Sequence, residues 1–157
     1  IRFMMLNRSN DVELDFDFDK VLEKSKENPV FYVQYAFARI SSLFRSIDKD
    51  FNDEIILKPD QLKLNNNEIK ILRKVFEWPK IIETASLKYE PHRIPYYLYE
   101  LSTLFHAYWS MGNENQNYRF IKEGKIRSTG TLTIIILISI VIQRGMNILG
   151  VSLPDKM

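Results

Sequence analysis

Apolar and polar side chains recur with a helical period over most of the chain. Residues 29–47 repeat apolar side chains every three to four positions, and Asn28 followed by Pro29 is typical of a helix start. Related patterns predict further helices over 17–27, 67–78, 79–90, 95–111 and 130–149, with a connector at 50–66 and a loop at 112–117. No Asn-Gly or Asp-Gly pair indicates a hairpin. The sequence therefore predicts an all-α fold, a bundle of five to seven helices.

The last predicted helix contains a long apolar stretch, TLTIIILISIVIQRGMNILG at 131–150. A helix that spans a bilayer needs about 20 predominantly apolar residues. Here the solid apolar part runs only from Ile134 to Ile142, and Ser139 breaks it. We therefore expect a helix buried on all sides in a soluble core, and no membrane partner.

The composition is typical of a single globular domain, which we expect to span residues 1–157. Apolar residues make up 45% and charged residues 27% of the chain. The absence of cysteine excludes disulfides, thiolate metal sites and cysteine nucleophiles. The formal net charge of +2 does not indicate a nucleic-acid partner by itself, but residues 118–157 carry six basic and two acidic side chains. We therefore expect one end of the domain to be basic.

Motifs for catalysis are missing from the sequence. It has no phosphate-binding loop, no nucleophile elbow and no pair of histidines at metal-binding spacing. The two histidines, His92 and His106, are 14 residues apart, and a lone histidine in a bundle is more often structural. We expect neither a catalytic site, nor a metal site, nor a bound cofactor in this chain.

The helix predicted over 29–47 has apolar and aromatic side chains on two sides. On a projection of 100° per residue, the core side consists of Val30, Val33, Phe37, Ile40 and Phe44. Tyr32, Tyr35 and Arg39 fall together about 150° away. They either pack against another helix, or form a platform on which nucleobases stack while the arginine contacts phosphates or base edges.

The helix predicted over 95–111 and the basic stretch after it extend this pattern. The core side consists of Tyr97, Leu101, Leu104, Tyr108 and Met111, and the opposite side of Tyr99, Ser102, His106 and Trp109. Trp109 is either a second stacking group or an ordinary aromatic side chain at the rim of the bundle. The segment RFIKEGKIR then supplies Arg119, Lys122, Lys125 and Arg127. These four are either a solvated surface or a patch that binds a nucleic-acid backbone.

Several segments resemble those of one known family and occur in the right order. They are DFDFDKV (15–21), NPVFYVQYAFARI (28–40), FEWPKIIETASLKYEPHRIPYYLYELSTLFHAYW (76–109) and GMNILGVSLPDKM (145–157). Essentially the whole chain resembles the C-terminal helical anticodon-binding domain of arginyl-tRNA synthetases, called the DALR type. From this resemblance we expect the C-terminal part of a longer polypeptide that begins inside the motif naming the domain, with a catalytic domain upstream.

The resemblance implies a role and a set of residues. The domain would bind the anticodon loop of arginine tRNA, and position this tRNA for a cytoplasmic class I enzyme that uses ATP and Mg²⁺ to attach arginine. Its partners would be that tRNA and the catalytic domain of the same chain. Family members contact the loop at positions that match Tyr32, Tyr35, Arg39, Trp109 and the terminal Met157. The rival interpretation is a helical protein-interaction module without a nucleic-acid role.

Three features depart from the family pattern. Phe37 stands where the family usually has His, Trp109 is more often Tyr, and the last helix carries IIILISIVI where the family has more Ala, Lys or Arg. Because the projection places Phe37 on the core side, we expect the packing to survive, while any polar role of that His is lost.

Overall fold

Helices make up most of the structure, a computed structural model that describes residues 1–9, 12–13, 17, 22–23, 25, 27–47 and 63–157. Within these residues the helices are α1 (Arg2–Leu6), α2 (Pro29–Ser46), α3 (Asn66–Phe76), α4 (Trp78–Leu87), α5 (Arg93–Glu114) and α6 (Thr129–Ile148). A 3-10 turn, Gln116–Tyr118, and two strands, β1 (Ile121–Lys122) and β2 (Lys125–Ile126), separate α5 from α6. The prediction of an all-α bundle of five to seven helices is confirmed.

Local sequence signals determine where several helices begin. The Asn28 side chain caps α2 by accepting hydrogen bonds from two backbone N–H groups of its first turn, at 3.2 and 3.4 Å. Asn65 and Glu68 form a capping box at the start of α3. The predicted helix over 17–27 and the predicted connector over 50–66 lie largely outside the described residues.

Helix α5 is longer at both ends than the sequence pattern predicts. It begins two residues before Pro95. The proline is tolerated there because the N–H groups of the first helical turn have no partner within the helix. It continues to Glu114, three residues past the predicted end, and Gly112 packs there against the backbone of the following segment. A Cβ atom at position 112 would lie 3.3 Å from the Cα atom of Arg119, so glycine permits this close approach.

A short hairpin between α5 and α6 is not predicted by the sequence pattern. Strands β1 and β2 are antiparallel, and Ile121 lies opposite Ile126. The two turn residues, Glu123 and Gly124, have φ angles of 53° and 74°, as a tight two-residue hairpin turn requires. Glutamate is uncommon in this left-handed conformation, which explains why a search for Asn-Gly or Asp-Gly pairs misses the hairpin.

Helix α6 lies in the core of the bundle and contacts α2, α3 and α5. Its side chains that are exposed by 1% or less include Ile134, Ile135, Ile138, Ile142 and Met146. This helix is long and apolar enough to cross a membrane, but half of its apolar stretch is buried inside the protein. The prediction that this helix packs in the core is confirmed, but it is not buried on all sides, because Ile140 and Ile148 are 46% and 56% exposed.

The predicted core side of α2 agrees with the structure. Val33, Phe37 and Ile40 are exposed by 7% or less, while Val30 and Phe44 are partly buried against the same core. Small Ala36 and Ala38 and the larger Leu43 are buried beside them.

The two sides of α5 differ from the prediction. Ser102 and His106, predicted to face away from the core, are exposed by 0% and 6%, and Phe105, which was on neither side, is fully buried. These predictions were wrong because α2 packs along that side of α5. The contact between α2 and α5 therefore places both sets of predicted platform residues next to each other.

Candidate nucleic-acid interface

The predicted platform residues lie where α2 meets α5. Tyr32, Tyr35 and Arg39 of α2 are half-buried, and so is Trp109 of α5. The side of α2 opposite its core is thus covered in part by the second helix. The rings of Tyr32, Tyr35 and Trp109 therefore pack against a neighbouring helix and are partly exposed to solvent as well.

The guanidinium of Arg39 lies at the centre of this contact. Its carbon atom is 4.2 Å from the centre of the Tyr35 ring and 5.0 Å from the centre of the Trp109 ring, within cation–π distance of both. Its Nη2 donates to the Tyr35 hydroxyl at 3.0 Å, and its Nη1 donates to Nδ1 of His106 at 3.0 Å. The guanidinium is therefore held by two hydrogen bonds and two rings of the protein itself.

His106 is buried in a single tautomer. Because arginine can only donate, Nδ1 must accept, and Nε2 then carries the proton and donates to the carbonyl of Tyr32 at 3.1 Å. Burial lowers the pKa of His106 to about 4; the bond to the Tyr32 carbonyl opposes this change, and the charge of Arg39 adds to it. The imidazole is therefore neutral near pH 7, as its acceptor role requires.

Aromatic rings continue on either side of His106. The ring centre of Tyr32 is 4.4 Å from the imidazole and 5.2 Å from the ring of Tyr99. The ring of Tyr35 stacks on the same imidazole with centres 5.6 Å apart and an angle of 25° between the planes. Burial raises the pKa of Tyr32, and the neighbouring Tyr99 acts in the same direction, so the phenol stays protonated. We call Tyr32, Tyr35, Arg39, Tyr99, His106 and Trp109 the aromatic–arginine cluster.

Trp109 borders a small cavity at the edge of this cluster. Its ring centre is 5.9 Å from those of both Phe105 and Phe120. The cavity has a volume of about 160 Å³, and its other lining residues are Leu43, Gly112, Asn113, Arg119, Phe120 and Ile121. A partly exposed indole beside an apolar cavity with one basic residue can accept a flat aromatic ring.

Three of the four predicted basic residues are exposed at or next to the hairpin. These are Arg119, Lys122 and Lys125, and the two lysines lie opposite each other across the strands. Nε of Arg119 donates to the carbonyl of Gly112 at 3.0 Å, which holds this side chain beside the cavity. The positive charge of Arg119 therefore lies next to Trp109, at the edge of the aromatic–arginine cluster, and the two lysines follow it on the hairpin.

Arg127, the fourth basic residue, is bound inside the protein. Its Nη2 pairs with the carboxylate of Glu68, which is 1% exposed, and donates to Tyr108 Oη at 2.9 Å and Thr131 Oγ1 at 2.8 Å. Its Nη1 donates to the carbonyl of Asn117 at 2.8 Å. These bonds connect the end of the hairpin to α3, α5 and α6, so the contacts of Arg127 differ from those of the three exposed cations.

The C-terminal residues lie along α2. Gln34 donates to the carbonyl of Ser152 at 2.8 Å, and Arg45 donates to the carbonyl of Asp155 at 3.1 Å. Met157 follows two residues later and is 52% exposed. The helix that carries Tyr35 and Arg39 therefore also holds the segment that ends at Met157.

Comparison with known families accounts for this combination of features. The family model of the DALR anticodon binding domain matches residues 33–157, which is more than half of the chain. The chain belongs to this DALR family. The match agrees with the resemblance found in the sequence segments and with the helical fold.

The DALR domain is similar in sequence to curated arginine–tRNA ligases. It is 57% identical over 156 residues to the one from Pelagibacter ubique and 46% identical over 161 residues to the one from Ruegeria pomeroyi. Both matches cover 99% of this chain, but only 27% and 28% of those relatives. The chain thus spans about a quarter of the length of the curated relatives that it matches.

The fold of the DALR domain also occurs in solved structures. An arginyl-tRNA synthetase from Campylobacter jejuni matches with a TM-score of 0.83 and 26% identity, over 99% of this chain and 32% of that protein. The arginyl-tRNA synthetase from Plasmodium falciparum matches with a TM-score of 0.76 and 21% identity, over 99% of this chain and 26% of that protein. The latter likeness concerns the fold alone.

Phe37 packs in the core of the DALR domain, as predicted for this departure from the family pattern. It is 7% exposed. Its ring also lines a groove of about 500 Å³, together with side chains of α6 such as Arg144 and Asn147 and with the C-terminal segment. The phenyl group therefore fills space in the DALR bundle without adding a polar group to this groove.

Two parts of the DALR site went unrecognised in the sequence. His106 was interpreted as a structural histidine on the side of its helix that carries Tyr99 and Trp109, and its contact with Arg39 was not predicted. Glu68, the partner of Arg127, looks in the sequence like an ordinary first-turn acidic residue. Its second carboxylate oxygen binds a residue 59 positions away, which no local pattern indicates.

Proposed function

We propose that this domain binds the anticodon loop of arginine tRNA by stacking loop bases on Tyr32, Tyr35 and Trp109. The observation that supports this most is the guanidinium of Arg39, held against the rings of Tyr35 and Trp109 at a partly exposed contact. Aromatic stacking is worth about 1–3 kcal/mol per base, and rings that are already fixed lose little entropy on binding. The names of the relatives, arginine–tRNA ligases, support arginine tRNA as the RNA.

Arg39 has a positioning role in this proposal. We expected it to contact phosphates or base edges, but Nη1 and Nη2 already donate to His106 and Tyr35. Moving the guanidinium onto a phosphate would break both bonds and remove the cation from two rings. We infer that Arg39 holds Tyr35 and Trp109 in place, and that its charge attracts the RNA at short range.

The exposed cations next to the cluster bind phosphates in this proposal. Arg119, Lys122 and Lys125 are exposed on one segment, and Arg119 lines the cavity beside Trp109. Each phosphate contact to a single-stranded segment makes the slope of log K against log salt more negative by about 0.7. Arg127 instead anchors the hairpin that carries the lysines, through its pair with Glu68.

Met157 completes the proposed RNA-binding surface. The terminal segment is tied to α2 by Gln34 and Arg45, so the last residue stays near the helix that carries Tyr35 and Arg39. Its thioether is exposed and unbranched, and such a side chain adapts readily to the face of a nucleobase.

The domain would act as one part of an arginine–tRNA ligase. We propose that residues 1–157 form a single anticodon-binding domain that positions the tRNA for a catalytic domain of the same cytoplasmic chain. That catalytic domain would bind ATP and Mg²⁺ and attach the arginine. Among the described residues, no group of three or more His, Asp or Glu side chains could hold a metal ion.

Titration with RNA tests the proposed function. The chain should bind the anticodon stem-loop of arginine tRNA more tightly than the same stem-loop with altered loop bases. Trp109→Ala should weaken this binding, while Tyr96→Ala, which removes an exposed tyrosine near the start of α5, should not. Equal affinity for both stem-loops would reduce the function to non-specific RNA binding. If no RNA binds, the helical protein-interaction module becomes the better interpretation.

A further inference from the structure

His106 contacts each of the three α2 residues in the proposed binding site. Its Nδ1 accepts from Arg39, its Nε2 donates to the carbonyl of Tyr32, and its ring packs on the rings of both Tyr32 and Tyr35. It comes from α5, and at 6% exposure it has almost no surface to offer an RNA ligand. Its contacts are therefore with the residues proposed to bind RNA.

Packing alone does not require a histidine at this position. A phenyl ring has nearly the same shape and would fill the same space, but it could not accept a hydrogen bond from Arg39. Without that acceptor, one donor of a half-buried guanidinium would lose its partner. Arg39 would then gain by turning towards water, because an unsatisfied donor of a charged group is costly inside a protein.

We propose that His106 is a positioning residue for RNA binding, which acts through Arg39. It fixes the guanidinium against Tyr35 and Trp109 before the RNA arrives, while its own bond to the Tyr32 carbonyl holds the imidazole in the orientation that accepts from Arg39. The inference rests on the proposed binding of the anticodon loop. Its benefit is preorganisation: a cluster that is already in its bound arrangement loses less entropy when the RNA binds.

A double-mutant cycle tests this inference on the full 157-residue chain. The four proteins are the unchanged chain, His106→Phe, Arg39→Ala and the combination of the two. Each is titrated with the anticodon stem-loop of arginine tRNA, and each affinity is referred to the folded fraction from its own melting curve. We expect His106→Phe to weaken binding about tenfold in the unchanged chain, and less than twofold once Arg39 is alanine, because the acceptor then has nothing to hold.

A rescue variant separates positioning from packing. The Oδ1 atom of His106→Asn can take the place of Nδ1 and accept from Arg39, although the smaller side chain leaves a cavity and lowers the melting temperature. We therefore expect His106→Asn to bind RNA better than His106→Phe while being no more stable. Ser102→Ala, one turn away on α5 and equally buried, is the matched control and should leave the affinity unchanged.

The outcomes separate this inference from the proposed function. If the unchanged chain does not bind the stem-loop, the proposed function fails and this inference fails with it. If the unchanged chain binds, but His106→Phe has no effect or has the same effect with and without Arg39, only the role of His106 is overturned. Binding that follows the melting temperature across all the variants would likewise reduce His106 to a packing residue.

Discussion

The carboxylate of Glu68 and the guanidinium of Arg127 form an ion pair across 59 residues of sequence. Glu68 is 1% exposed, and Oη of Tyr108 and Oγ1 of Thr131 also form hydrogen bonds to the pair. The pair joins α3 to the end of the hairpin that carries Lys122 and Lys125. Its integrity therefore matters both to stability and to the position of the basic segment.

Removing the arginine of this pair should destabilise the domain. Arg127→Ala leaves the charge of Glu68 buried without its cation, and breaking a buried ion pair in this way typically costs about 3–5 kcal/mol. Urea unfolding would measure the loss. Arg93→Ala breaks the half-exposed pair with Glu90 and should cost about 1 kcal/mol or less. If Arg127→Ala leaves stability unchanged but weakens RNA binding, Arg127 belongs with the phosphate-binding cations after all.

The pKa of His106 gives a pH-dependent prediction. In the unfolded chain the imidazole takes up a proton near pH 6.5, whereas in the folded protein burial lowers its pKa to about 4. The unfolded state binds more protons between these values, so this stabilising contribution is complete above about pH 6.5 and is lost as the pH falls towards 4. A titration followed by NMR on the imidazole, assigned with His106→Gln, should show no protonation above pH 5.5. A normal histidine midpoint near 6.5 would contradict the buried, neutral geometry.

The exposed lysines give a salt-dependent prediction. Replacing both Lys122 and Lys125 by alanine should weaken binding of the anticodon stem-loop, and should make the negative slope of log K against log salt less steep by roughly one to two units. Affinities at three salt concentrations would determine this slope. Lys80→Ala, at an exposed position on α4, is the matched control and should leave the slope unchanged. Equal slopes for the double variant and the control would rule out a role of the hairpin in phosphate binding.

Phe37 provides a test of the core as distinct from the binding site. Phe37→Ala should lower the free energy of unfolding by about 3–5 kcal/mol, because the large side chain is buried. Phe76→Ala removes the same group from a position that is 69% exposed, and should change it by less than 1 kcal/mol. Chemical denaturation of both variants is the measurement. A small effect at Phe37 would mean that the core of α2 is packed more loosely than the structure shows.

Much of the fold was predictable because the helices have local signals. Asn28 and Pro29 determine the start of α2, and the apolar run of α6 predicts its position in the core. The hairpin was not predictable in the same way. Its turn depends on Glu123 in a left-handed conformation, and that residue type carries no strong local preference for it.

The sequence predicts most of the residues that form the candidate site, but not which of these residues contact each other. A helical projection separates Tyr35 and Arg39 from Phe37, but it does not show which neighbouring helix covers which side. That depends on the packing of α2 against α5, which places His106 against Arg39 across 67 residues of sequence. For the same reason, the sequence suggested that Arg39 and Arg127 contact RNA, whereas the structure gives both of them partners within the protein.

The central claim is that the rings of the cluster stack on loop bases. Trp109 reports on this directly once the only other tryptophan, which packs on Tyr97, is replaced by Trp78→Phe. Titration with the anticodon stem-loop of arginine tRNA should quench the Trp109 fluorescence to saturation. In the same background, Tyr35→Ala should weaken the binding by about 1–3 kcal/mol without lowering the melting temperature as Phe37→Ala does. RNA binding that leaves the Trp109 signal and the affinity of Tyr35→Ala unchanged would contradict the claim.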